Sequence, residues 1–233
     1  DANPSSNSEI SVGLWLDIRL GSEGQLVVSP EELLQSGPLK GKPVELSTKA
    51  ETAEAGLIEL SEFAQAVSTQ PKALPTILNL IARRPGIGPA LLDLWGPEKP
   101  FDISNVAVQS ESSGILKELR EAQPRALFGS SQATLIQIEV ISSLGLQGLI
   151  DLKSDLLISS SEEVAREGER SPRLRPVTLS EAHRRGLRRY AGPAHSLEQA
   201  QKLFALGYDG TFLTHEAFVK EKEAFDALLA KRH

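Results

Sequence analysis

Short apolar runs of strand length alternate along this chain with helix-like segments. The runs are Leu14 to Leu20, Thr76 to Ile81, Asn105 to Gln109, Ala126 to Phe128, Leu146 to Ile150, Leu187 to Tyr190 and Thr211 to Leu213. Such alternation points to an α/β fold rather than an all-α or all-β one. Strands separated by helices at this spacing imply parallel pairing through right-handed crossovers. The opening is different. Val12 to Val28 reads as two short strands around a Ser22-Glu23-Gly24 turn, a hairpin ahead of the parallel units.

Helix starts carry capping signatures. Ser29-Pro30-Glu31-Glu32 offers a Ser N-cap, Pro at the first helical position and Glu at the third, with a stop at Gly37-Pro38. Thr178-Leu179-Ser180-Glu181 predicts a second helix stopping at Gly186, and Ser196-Leu197-Glu198-Gln199 a third ending at Gly207. A further helix is expected to start near Ser61. Gly37 to Gly56 and Ser154 to Pro176 are polar and read as loops, the second following a strand. Gly86-Ile87-Gly88 lacks the third glycine of a nucleotide loop and reads as a turn.

At 233 residues the chain suits one large core, and a (β/α)8 barrel fits in roughly 250. No internal repeat and no sharp change of composition divides it. The expected organisation is a flexible lead over 1–11 and a single barrel domain over 12–233. A net charge of −6 argues against nucleic acid or an anionic membrane as the main partner. No apolar run approaches the roughly 20 residues of a membrane helix, so no transmembrane segment is expected. The absence of cysteine excludes disulfides, zinc thiolates and thiol nucleophiles. The polar lead Asp1 to Glu9 is compatible with the mature end of an exported protein, periplasmic or secreted.

Asp17 is the chemical anomaly of the first strand. A carboxylate within an apolar strand is costly to desolvate unless it is paired, hydrogen-bonded or bound to a metal. The hairpin around it resembles the opening of the glycerophosphodiester phosphodiesterase family, where a Glu-x-Asp pair binds a divalent cation. The resemblance continues through Asn105 to Ser110, Ile115 to Arg120 and Pro124 to Gly129, which are similar to that family's mid-barrel segment. Ala182 to Leu187 and Leu197 to Gly210 are similar to its last two βα units. Ala205-Leu206-Gly207-Tyr208-Asp209-Gly210 is the most telling match, a helix ending in Gly that turns into the final strand. Together these cover Val12 to about Ala217. The resemblance implies a parallel (β/α)8 TIM-type barrel, here with an incomplete or missing first strand, and phosphodiesterase chemistry dependent on Mg²⁺ or Ca²⁺ where active.

The departures fall on that chemistry. Trp15 stands in the place of the ligand Glu, Pro30 in that of a catalytic His, and Ile81 in that of the third acidic ligand. Arg83 replaces a Lys, Gly192 a Trp, and His195 an Asn. No His lies in Asp1 to Ser11, where the resemblance implies the other catalytic one. Asp17 alone matches an expected metal ligand, and Glu31 is the nearest acid that a rebuilt site would use.

Several residues carry two readings. Asp17 and Arg19 share one strand face and predict either an internal ion pair or polar network at the barrel bottom, or a ligand facing the mouth. His195 and His215 each follow a late strand, as ordinary loop histidines or as an acid/base pair. Eight arginines between Arg166 and Arg189 face three acids, a local charge of +5. They form either a solvated helix face or an anion-binding rim in which Arg173 and Arg175 point the same way. Trp15 and Trp95 read as core. The function expected is a degenerate, non-catalytic barrel that binds a phosphorylated or acidic ligand, or a protein partner, with Arg19 and Arg83 as further ligand-binding candidates. The alternatives are a divalent-metal phosphodiester hydrolase with a remodelled site using Asp17, Glu31 and a late histidine, and a structural or assembly protein.

Overall fold

The computed structural model describes residues 14–68, 76–102, 106–131, 155–160 and 186–224. Its strands are β1 (Leu14–Leu20), β2 (Leu26–Val28), β3 (Ile58–Glu59), β4 (Thr76–Leu80), β5 (Val106–Ser110), β6 (Phe128–Ser131), β7 (Leu156–Ser160), β8 (Arg188–Ala194) and β9 (Gly210–Leu213). They form one sheet in the order β3-β2-β1-β4-β5-β6-β7-β8-β9. The hairpin β1–β2 and its neighbour β3 pair antiparallel, and every pairing from β1 through β4 to β9 is parallel. Helices α1 (Lys49–Glu54), α2 (Leu60–Ser68), α3 (Ile87–Leu92), α4 (Ser113–Ala122), α5 (Leu197–Ala205) and α6 (His215–Lys220) lie between or after the strands.

Two apolar layers follow from the period-two alternation of a strand buried on both faces. On one face, Leu16, Ile18, Leu78, Leu80, Val106, Val108 and Phe128 pack with Leu60, Leu91, Leu116 and Leu119 of the helices and with Trp95. On the other, Ala107, Leu156 and Ile158 meet the half-buried Trp15, Ile77, Tyr190 and Phe212. That second cluster joins β1 to β9, the two ends of the parallel run, so the sheet curls around it. Trp15 and Phe212 stack at 4.2 Å with planes 10° apart. Among the described residues no ladder pairs β9 with β1, so hydrogen bonding leaves the barrel unclosed and the aromatic pair faces across the seam.

The capped helix Leu197–Ala205 forms as its sequence predicts. The Ser196 hydroxyl accepts from the Gln199 amide at 3.1 Å, while the Gln199 side chain takes the His195 amide at 2.8 Å. Gly207 ends this helix at φ +94°, and the Gly207 and Tyr208 amides return to the carbonyls of Phe204 and Leu203. Asp209 then accepts the Arg189 amide at 2.7 Å and both sides of its guanidinium at 3.0 and 3.1 Å. The turn into β9 is thereby tied to β8, which gives the Leu-Gly-x-Asp-Gly pattern a physical role.

Other expectations are corrected. Ser29 starts no helix. It is buried at the end of the hairpin, its amide donates to the Asp17 carbonyl at 2.8 Å, and its hydroxyl donates to the Glu31 carbonyl at 2.9 Å. Leu34 instead packs on Val27 and Val44, so tertiary burial overrides the capping signal. The supposed loop Gly37 to Gly56 holds a 3-10 turn (Val44–Leu46) and α1, whose Thr48 and Glu51 form a reciprocal capping box. The hydrogen bond from Lys42 and then the Thr48 amide hold the Glu51 carboxyl below its ordinary pKa. Leu156 to Ser160, read as the start of a loop, is strand β7. Gly86 precedes a helix rather than making only a turn, and its φ of +101° suits the missing side chain. The run Leu146 to Ile150, the helix expected after Thr178 and most of the arginine-rich segment lie outside the described residues.

Substituting Gly207→Val should destabilise the fold by more than about 1 kcal/mol, because a β-branched residue is strained at positive φ. Urea denaturation of the variant checks this, and Gly207→Asn, which tolerates the left-handed region, should cost less.

Candidate functional site

On β1 the outward positions Leu16, Ile18 and Leu20 belong to the helix-covered core, which turns Trp15, Asp17 and Arg19 to the inside of the curl. The parallel register sets Asp17 beside Asn79 of β4, and Asn79 beside Gln109 of β5. Asp17 Oδ1 accepts from Trp15 Nε1 at 3.0 Å and from Asn79 Nδ2 at 2.6 Å. Of the two readings of this face, Asp17 therefore joins a polar network, but without Arg19 and not at the barrel bottom. Asn79 borders the open end.

Arg19 is buried and points to a different acid. Its Nη1 meets Glu45 Oε1 at 2.6 Å and its Nε donates to the Ser29 carbonyl at 3.2 Å. Glu45 arrives on the 3-10 turn Val44–Leu46, and its own carbonyl accepts from Arg84 Nη1 at 2.5 Å. Farther out, Arg83 pairs with Glu32 in an exposed ion pair. These contacts strap the segment from Ser29 to Ser47 across the ends of β1 and β4. Glu45 and Glu32 were not singled out from the sequence. Their only sequence signal is an acid within a short apolar or turn context, which does not distinguish them from ordinary surface acids.

Beside the strap lies a cleft of about 440 Å³. Asn79 through Arg83, at and beyond the end of β4, and Ser110 through Ser112, at and beyond the end of β5, line it. The Ser110 hydroxyl donates to the Leu80 carbonyl at 3.0 Å and accepts the Ser112 amide at 3.2 Å, so the two strand ends are held together. Ile81 lies on this cleft, apolar where the resemblance implies an acidic ligand. Arg83 lines the same cleft, its exposed guanidinium paired with Glu32.

The remaining candidates are dispersed. Glu31 is exposed, with only its carbonyl engaged by Ser29. His195 is exposed just after β8, and His215 opens α6 just after β9, whose N-cap Thr214 accepts from the Ala217 amide at 3.2 Å. Arg173 and Arg175 lie outside the described residues. Magnesium and calcium take six or more oxygens, commonly from several carboxylates. Asp17 offers one uncommitted carboxylate oxygen, and among the described residues no three His, Cys, Asp or Glu groups gather to hold a metal. The described residues do not fit such an ion.

Gly192 explains the aromatic seam. A β-carbon there would lie 2.9 Å from two atoms of the Phe212 ring and from the Phe212 carbonyl. The bulk the resemblance places on this strand is thus absent where Phe212 needs the room, and Trp15 supplies it from β1.

Solved structures of similar architecture show which fold this is. The chain has the glycerophosphodiester phosphodiesterase fold. It aligns with the glycerophosphodiester phosphodiesterase of Parabacteroides distasonis at a TM-score of 0.69 and 13% identity, over 94% of this chain and 84% of that one. The Thermotoga maritima enzyme of the same description gives 0.64 and 16%, over 88% and 83%. An Oleispira antarctica phosphodiesterase, solved with its product sn-glycerol-3-phosphate, gives 0.64 and 16%, over 94% and 86%. No protein-family model and no curated protein sequence matches the chain. The phosphodiesterase-type barrel that the resemblance implies is therefore the fold observed, its ring not closed by a β9–β1 ladder among the described residues.

Breaking the strap should be costly. Glu45→Leu leaves Arg19 charged and buried, and stability should fall by about 3 kcal/mol, whereas adding Arg19→Met should restore most of it. A double-mutant cycle by urea denaturation reads the difference.

Proposed function

We propose that this phosphodiesterase-fold barrel is a non-catalytic family member that binds a small phosphorylated or acidic ligand at its mouth. The observation that carries the reading is the Trp15 indole on Asp17. Trp15 takes the place of a metal-binding carboxylate, and it consumes one oxygen of the remaining acid as a hydrogen-bond acceptor. Phosphodiester hydrolysis wants an acid, a base and a cation to stabilise developing charge. Pro30 and Ile81 supply none of these at the places where the resemblance implies them.

Arg83 supports the ligand class. It lines the cleft, and a guanidinium offers a planar fork of donors suited to phosphate or carboxylate. Arg173 and Arg175, outside the described residues, are candidates for the same ligand on their sequence alone, while Arg19 acts through its pairing with Glu45, holding the strap in place.

Glycerophosphocholine incubated with Mg²⁺ or Ca²⁺ should release no glycerol phosphate. Turnover lost in Asp17→Ala would install the metal-dependent hydrolase in its place, with Glu31 and His195 or His215 as the next groups to test. Sulfate or phosphate should raise the melting temperature more than chloride at matched ionic strength, which controls for screening. Arg83→Gln should remove that gain, and Arg173→Ala with Arg175→Ala should reduce it. Equal responses to both salts would leave these arginines as a solvated face.

A further inference from the structure

We propose that Glu32 sets the anion affinity of the cleft, because its carboxylate occupies the Arg83 guanidinium that an incoming oxyanion needs. This inference rests on the reading of Arg83 as the ligand contact, and its test separates the two. Among the described residues Glu32 is the partner of that guanidinium, and it is held through Nη1. Arg83 lines the cleft, whereas Glu32 belongs to the strap beside it. The acid stands outside the cavity and takes hold of a residue in its wall.

Backbone contacts deliver both partners. The Glu32 carbonyl accepts the Val44 amide at 3.0 Å, and Leu33 forms an antiparallel bridge with Pro43. Leu34 is 2% exposed; its amide donates to the Lys42 carbonyl and its carbonyl accepts the Gly41 amide, each at 2.9 Å. Glu32 thus projects from a fixed segment rather than from a loose loop. On the other side, the Arg83 amide donates to the Ile81 carbonyl at 3.2 Å, and the next residue, Arg84, is anchored on the Glu45 carbonyl. Neither backbone has to move for the pair to part. Rotation of two exposed side chains is enough, and such rotations are fast.

Burial separates this pair from its neighbour on the strap. The side chains of Arg19 and Glu45 are 5% and 8% exposed, so parting them would strand charge away from water. Those of Arg83 and Glu32 are 53% and 48% exposed, and water takes over both groups as they separate. The strap therefore stays anchored at Glu45 while Glu32 exchanges. A carboxylate in contact with a guanidinium also cancels its charge locally and repels an approaching anion, a dianion more than a monoanion. Contact through Nη1 between exposed groups orients the fork of donors only loosely, so repulsion outweighs any positioning by Glu32.

Inorganic phosphate at neutral pH is the probe, titrated calorimetrically into the full chain, with sodium chloride at equal ionic strength as the reference. Glu32→Gln should fold as the wild type does and bind phosphate about two- to fivefold more tightly, the range that matches the worth of an exposed ion pair. Adding Arg83→Gln should abolish the gain. Glu31→Gln removes the same charge one residue away, from an exposed acid that pairs with no arginine among the described residues, and its gain should be clearly smaller. If the wild type binds phosphate through Arg83 and Glu32→Gln binds it no better, the inference is overturned and the anion reading stands; phosphate then takes the Nε–Nη2 edge beside an intact pair. Weaker binding in Glu32→Gln overturns it too and makes Glu32 a positioning residue. Equal gains in Glu31→Gln and Glu32→Gln reduce the effect to general charge and overturn it as well. If neither the wild type nor Glu32→Gln responds to phosphate beyond chloride, the anion reading of the cleft falls and this inference falls with it.

Discussion

The stack of Trp15 on Phe212 is the contact on which the inside of this molecule depends. A parallel sheet curls only if the side chains on its inner face fill the space between its first and last strands. Here that space lies between β1 and β9, where no ladder joins the described strands. Two flat rings at 4.2 Å fill it, and such a pair contributes about 0.5–1.5 kcal/mol beyond the area it buries. Gly192 is the complement of that stack, because any side chain at its position would meet Phe212. The indole has a second consequence. Its N–H settles on Asp17, so one residue both fills the barrel and occupies an oxygen of that carboxylate.

Charge at the open end is arranged against itself. Arg19 finds Glu45, Arg83 finds Glu32, and Arg84 finds the carbonyl of Glu45. The buried member of this set fixes the strap, since an Arg19 without Glu45 would be an uncompensated charge out of water. The exposed pair of Arg83 and Glu32 contributes little to stability, as surface ion pairs generally do. Arg83 lines the cleft while holding that pair.

Much of the fold was legible in the chain. Six of the apolar runs named from the sequence fall on described strands, because a strand buried on both faces must be apolar along its length. The helix from Leu197 was legible from Ser196 and Gly207, since capping is satisfied by neighbours in sequence. The same rule misled at Ser29. That residue is held in the hairpin by the Asp17 carbonyl, a contact from across the strand pair that no local pattern announces. Leu156 to Ser160 was passed over because its serines read as loop, although pairing between β6 and β8 makes the segment a strand.

The candidate site divides along the same line. By itself the sequence determined most of the alternation of strands and helices and the isolation of Asp17 in an apolar strand, and the resemblance it carries marked Trp15, Pro30 and Ile81 as departures. These are matters of residue type and spacing. Tertiary structure decided who meets whom: Arg19 with Glu45 rather than Asp17, Asn79 and Trp15 on a single oxygen, Phe212 over Gly192, and Gln109 buried with an unmatched carbonyl. Each of these pairs joins residues that the chain holds apart and the curl of the sheet brings together. Partner choice follows from strand register and the direction of side chains across the sheet, and both are set only when the sheet has curled around its inner core.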